Sequence, residues 1–168
     1  FSAVETVIGG SGNDTLAGSI SFTVTGADSG TASALSGTWS NIENLQGGVA
    51  ANTFNLDTGG SLSGSIDGLV GNDTISYASR AAAVTIDLDA LTAPDIGSFA
   101  NIESFVGGSG TGDILIGTNN ASLWRVTAAN AGAIDDTTVG GLNSEEFSFS
   151  GFEQLNGVSA ADSFTFEA

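Results

Sequence analysis

The stretch of this chain best suited to chemistry is GGSGNDTLA, from Gly9 to Ala17. Glycines at Gly9, Gly10 and Gly12 let a tight turn adopt conformations closed to residues with a side chain. Such a turn exposes main-chain carbonyls, and Asp14 adds a carboxylate. Hard oxygen donors of this kind suit Ca²⁺, which makes Gly10, Gly12 and Asp14 candidate metal-site residues. Related stretches recur with changes. GLVGNDTIS from Gly68 keeps Gly71, Asp73 and Ile75 but has Leu69 where the second glycine belongs, and GGSGTGDIL from Gly107 carries one extra residue before Asp113. GGVAANTFN from Gly47 replaces the acid with Asn52, and GVSAADSFT from Gly157 keeps Asp162 and Phe164. Gly71, Asp73 and Asp113 therefore join the candidate set. Turn chemistry is the competing account, because a short Asn or Asp side chain after glycine bonds to nearby backbone in tight turns.

Other acids invite a catalytic reading. Asp87 and Asp89 fall on one face of an alternating strand, while Asp135–Asp136 and Glu145–Glu146 are adjacent pairs. Paired carboxylates can hydrolyse glycosides, but in so acidic a chain a solvated face is the better account. The sequence has no His, Cys, Met or Lys, and its only cations are Arg80 and Arg125. No nucleophile–base pair can be assembled from it except from carboxylates. The 19 Asp and Glu give a formal net charge of −17. That balance excludes a nucleic-acid binder, which must neutralise phosphates, and argues against docking on anionic lipid. No apolar run approaches the ~20 residues that span a membrane. With 40% apolar residues and only 12% charged, the chain has the apolar content that disordered segments lack.

The elements that must position these turns come from an internal repeat. FSAVETVIGG from Phe1, WSNIENLQGG from Trp39, FANIESFVGG from Phe99 and FSGFEQLNGV from Phe149 share the pattern aromatic-x-x-aliphatic-Glu-x-apolar-x-Gly. Their glutamates are Glu5, Glu43, Glu103 and Glu153. Each could bind a ligand or cap a turn by accepting backbone N–H bonds, and the capping role is the better expectation. The copies begin 38, 60 and 50 residues apart, close to two or three units of ~20 residues. Between them, SISFTVTGADSG, NTFNLDTGGS and SLWRVTAANAG each read as a short alternating strand followed by a small-residue turn. Trp39 and Trp124 belong to apolar strand faces and are expected in the core. Pro94 falls where a loop belongs. The expected fold is all-β: one parallel β-solenoid segment over 1–168, of about eight short-strand coils, cut from a longer repeat protein.

GGSGNDTLA matches the nonapeptide G-G-x-G-x-D-x-U-x at every specified position. In this the chain resembles the RTX family of secreted bacterial proteins, and with the anchors it looks like the repeat regions of large bacterial adhesins. The resemblance implies calcium held between successive turns of a parallel β-roll, type I secretion, an extracellular or cell-surface location, and folding on contact with external calcium. Since the family's sites use tandem nonapeptides, the separated copies here imply isolated sites. The expected function is a structural or adhesive segment, not an enzyme, with calcium, neighbouring repeats or like chains, or surface glycans as partners. The alternative is a carbohydrate-active or carbohydrate-binding parallel β-helix, in which Trp124 would stack on sugar.

Overall fold

The computed structural model describes residues 4–136 and 147–167. The Phe1 end of the first anchor and the pair Glu145–Glu146 lie outside the described residues. Within them every regular element is a strand, most of three to five residues, as glycine-punctuated alternation requires. The strands form sheets of eleven, four and three, and most neighbours run parallel.

Apolar side chains meet in register across these sheets. Phe22, Phe54, Ile75, Phe105 and Phe149 pair in succession in the largest sheet. Leu16, Leu45, Ile66 and Phe99 do so in the four-stranded sheet, and Ile86, Leu115 and Leu155 in the three-stranded one. All three rows feed one contiguous core. Phe22 and Phe54 stack nearly flat with centroids 5.3 Å apart, an arrangement worth about 0.5–1.5 kcal/mol beyond area burial. Trp39 and Trp124 are both fully buried, as expected.

The fold departs from the sequence expectation at two antiparallel meanders. Phe22–Gly26, Ser29–Ala32 and Leu35–Ser40 run up, down and up within the largest sheet. Ser122–Ala128, Ala131–Asp136 and Phe147–Ser150 repeat the arrangement. Each opens with a two-residue hairpin loop whose second residue, Asp28 (φ 45°) or Asn130 (φ 57°), is left-handed. Asn and Asp tolerate that conformation better than other non-glycine residues. Each middle strand carries a glycine, Gly30 or Gly132, on which a Cβ would press against Trp39 or Phe149 respectively. The anchors at Trp39 and Phe149 are thus the closing strands of meanders, whereas the Phe99 anchor is not. This difference accounts for part of the uneven anchor spacing.

Candidate functional site

The nonapeptide-like turns and the glutamate anchors are two halves of one junction. An anchor lies against the turn preceding it in the stack, and the same atoms meet in three places. First, the N–H groups of Gly9, Gly68 and Gly107 donate to the carbonyls of Ser40, Ala100 and Ser150 at 2.9, 3.0 and 2.8 Å. Next, Asn41, Asn101 and Gly151 turn the chain through the left-handed region at φ 53°, 53° and 77°. Their carbonyl oxygens abut those same three glycines so closely that any Cβ there would overlap them. This is why the first glycine of each turn is a glycine.

The glutamates then cap. Glu43 Oε2 accepts the Asp14 N–H at 2.7 Å, and Glu103 Oε2 accepts the Asp73 N–H at 2.8 Å. Glu153 Oε2 accepts the N–H groups of both Gly112 and Asp113, at 3.0 and 2.9 Å. The residue after each glutamate closes the junction: Asn44, Ser104 and Gln154 donate their N–H groups to the carbonyls of Asp14, Asp73 and Asp113. Sequence reasoning anticipated the capping but not its target, since the target lies 29 to 41 residues away.

The turn aspartates use the same chemistry one layer further back. Asp73 Oδ1 accepts the Asn52 N–H at 2.6 Å, Asp113 Oδ1 that of Val84 at 2.7 Å, and Asp162 Oδ1 that of Ser122 at 3.0 Å. Asn52, standing in for the acid, sends its Nδ2 to the Gly18 and Ile20 carbonyls. A line of side-chain oxygens bonded to buried amides thus follows the stack. Carboxylate acceptors of this kind make stronger bonds than neutral ones.

Two oxygens are left over. Asp14 Oδ2 accepts the N–H of Gly10, the second residue of its own turn, and Asn52 Oδ1 accepts that of Gly48. At Asp73 this place is filled by Leu69, a left-handed residue at φ 68° whose N–H turns to Asp67 instead. At Asp113 the extra residue lengthens the turn. Asp73 Oδ2 and Asp113 Oδ2 are consequently buried with no hydrogen-bond partner. A Cβ on Gly108 would stand 2.7 Å from the Arg80 carbonyl, 3.2 Å from Asp113 Oδ2 and 3.4 Å from the Ala82 carbonyl. The Arg80 carbonyl already accepts the N–H and the hydroxyl of Ser109, so the carboxylate oxygen and the Ala82 carbonyl are the hard donors this corner offers a cation. Ca²⁺ takes six to eight oxygens, so most of its shell would be water or further carbonyls.

The structure does not bring the candidate acids together. Among the described residues, no three Asp or Glu side chains form a metal-binding group. Asp14, Asp73 and Asp113 occupy separate junctions. Gly12 lies in open space where a Cβ would meet nothing within 4 Å, and Gly71 has φ 151°. The acids of the catalytic reading also serve the backbone: Asp87 Oδ1 accepts the N–H groups of Asp89 and Ala90, and Asp89 Oδ1 that of Asn119. Asp135 is buried. Trp124 is fully buried, with the half-exposed Phe164 stacked on it, so its own ring offers no face to a sugar.

Arg80, which sequence reasoning left without a role, is a buried clamp. It donates to the Leu56 carbonyl at 3.2 Å and the Gly60 carbonyl at 2.6 Å, pairs with Asp95, and covers the Tyr77 ring at 4.9 Å. Tyr77 donates its hydroxyl to the Pro94 carbonyl at 2.7 Å. Burial pushes this phenol well above its ordinary value, with the Arg80 charge opposing the rise and Asp95 adding to it. Comparison with family models, curated proteins and solved structures finds no match.

Proposed function

We propose that the chain is a parallel β-solenoid segment of a large secreted or cell-surface protein, acting as a structural or adhesive spacer and not as an enzyme. The observation that carries this reading is the junction repeated at Glu43, Glu103 and Glu153, which commits the chain's acids to backbone amides. An array of like units, each covered by its neighbours, is how repeat proteins build length. The pairs a glycosidase would need, Asp87 and Asp89 above all, hold turns together instead.

Calcium enters as a stabiliser of a fold that the carboxylate–amide bonds already support. Asp113 and Asp73 would hold it, and it would supply positive charge to their two carboxylate oxygens that have no donor. A ligand that binds only the folded chain stabilises it by mass action. In a low-calcium cytoplasm, repulsion among the 19 acids would favour a looser, exportable chain.

The test is thermal melting followed by far-UV circular dichroism, in EDTA and in millimolar Ca²⁺, on wild type and Asp113→Asn. The asparagine keeps an oxygen for the Val84 N–H but loses the charge that strengthens that bond, while relieving a carboxylate oxygen that has no donor, so in EDTA it should stay within about 1 kcal/mol of the wild type. Calcium should raise the melting temperature of the wild type more than that of the variant. Equal responses would remove calcium from Asp113, and a chain without β signal in EDTA would contradict stacking held by the acids.

A further inference from the structure

One level in the middle of the chain is joined on one face only. The largest sheet runs through it without a break, Thr74–Ser76 pairing with Ser104–Val106. The opposite face is divided there. Ser98–Ala100 is the outermost strand of the four-stranded sheet and Thr85–Asp87 the outermost of the three-stranded one. Among the described residues no strand pairing joins these two.

The segment that connects them, residues 88–97, is held from both sides of the gap. Its first half belongs to the three-stranded sheet: Leu88 donates to the Ile116 carbonyl at 2.9 Å, and Asp87 and Thr92 exchange bonds of 2.9 and 3.1 Å. Its second half belongs to the four-stranded side, where the Asp95 carbonyl accepts the Leu62 N–H at 2.8 Å and Gly97 donates to the Gly64 carbonyl at 2.7 Å. The Arg80 clamp grips this same half. Arg80, fixed to the Leu56 and Gly60 carbonyls, pairs with Asp95, and the Tyr77 hydroxyl holds the Pro94 carbonyl. Ala93 is buried between the two halves. Among the described residues one main-chain hydrogen bond crosses from the first half to the four-stranded sheet, from the Phe99 N–H to the Leu91 carbonyl at a long 3.2 Å. Leu91 itself is left-handed at φ 54°, a conformation that bulky side chains rarely adopt.

We propose that this seam is a hinge: the two small sheets part there while the largest sheet stays whole, which gives the spacer one fixed place to bend. The inference rests on the stacked reading of the fold. At the neighbouring levels, parting the stack breaks ladders on both faces, Thr53–Leu56 from Thr74–Ser76 together with Asn44–Gln46 from Ser65–Asp67, for example. At the seam the small-sheet face gives up one long bond and the contacts of buried Leu88 and Phe99. Proteins open in units whose cost follows such differences, and hinges turn on a few residues between rigid elements. Because Arg80 and Tyr77 fasten the second half of the connection, the bend falls at Ala93 instead of spreading along the segment.

The chain has no cysteine, so one introduced thiol reports opening at one place. Ala93→Cys puts it in the seam, and Ala32→Cys puts it at a comparably buried position in a meander. Each further ladder bond that must break slows exposure by a factor of about two to ten. Ala93→Cys should therefore react with a thiol reagent roughly tenfold faster than Ala32→Cys without denaturant, both variants keeping the wild-type circular dichroism. Hydrogen exchange on the unaltered chain reads the same event, and decides alone if a variant loses its β spectrum. The Phe99 amide should exchange faster than those of Leu62 and Leu88, bound on either side of the seam. It should also exchange faster than the Ser104 amide, which holds the Asp73 carbonyl across the same level of the largest sheet. Equal rates at the two thiols, or a Phe99 amide as slow as that of Ser104, would overturn the hinge and leave the stacked fold standing. Leu62 and Leu88 amides as fast as Phe99 would overturn it too, since the whole connection would then be peeling away. An unaltered chain with no β signal would overturn the stacked fold and the hinge with it.

Discussion

Replacing Glu103 with alanine removes the acceptor for the Asp73 N–H, a bond of 2.8 Å to a residue that is itself fully buried. The amide has no water to turn to. Hydrogen bonds to charged groups contribute about 1.5–3 kcal/mol, and a buried donor left without a partner costs about 1–3 kcal/mol, so about 2 kcal/mol is the expected loss. In a chain of this size that lowers the melting temperature by roughly 4–8 °C. Glu103→Gln keeps an acceptor but not its charge, and should lose about 1 kcal/mol. Glu5→Ala is the control: Glu5 is exposed at a sheet edge, and such surface changes usually stay within about 0.5 kcal/mol. Urea unfolding in EDTA, read by the fluorescence of the buried Trp39 and Trp124, ranks the three. The reasoning fails if Glu103→Ala is as stable as Glu5→Ala in EDTA, or if its loss appears only when calcium is present.

Three further outcomes follow from the same geometry. Asn41 is exposed and left-handed, so Asn41→Gly should be nearly neutral by chemical denaturation while Asn41→Val costs about 1–2 kcal/mol. A Cβ on Gly9 would overlap the Asn41 carbonyl whereas one on Gly12 meets nothing, so Gly9→Ala should cost about 1–3 kcal/mol and Gly12→Ala almost nothing. Tyr77 is raised in the folded chain, so its contribution is complete below about pH 10, where the unfolded phenol begins to ionise. Stability should fall as pH climbs above that point, and urea midpoints taken on Tyr77→Phe should show a flatter alkaline limb.

Much of this arrangement is legible in the residues. Alternation in TFNL and SLWRV announces strands, and the aromatics and aliphatics of the anchors at Trp39, Phe99 and Phe149 fill the core, whereas Val4 of the first anchor is exposed. The capping role of Glu43, Glu103 and Glu153 is legible as a role, but the turns they cap lie 29 to 41 residues away and are not. Two features were hidden for physical reasons. The meanders depend on left-handed hairpin residues at Asp28 and Asn130, and the signal lies in the paired segments VTGADSG and VTAANAG, which read equally well as strand and turn. The unpartnered oxygens of Asp73 and Asp113 depend on where the Leu69 N–H points and on one added residue, neither of which a pattern of residue types expresses. Arg80 was invisible for a similar reason, as its acceptors at Leu56 and Gly60 are main-chain atoms some 20 residues away.

The central claim is that the turn acids hold the stack through backbone amides without needing a metal. Hydrogen exchange read at single amides, in EDTA, tests it at the atoms concerned. The Asp73 and Asp113 amides, bound to Glu103 and Glu153, should exchange as slowly as the strand amide of Phe105 between its two parallel neighbours. Exchange at the rate of an open loop in EDTA, slowing only when calcium is added, would contradict the account.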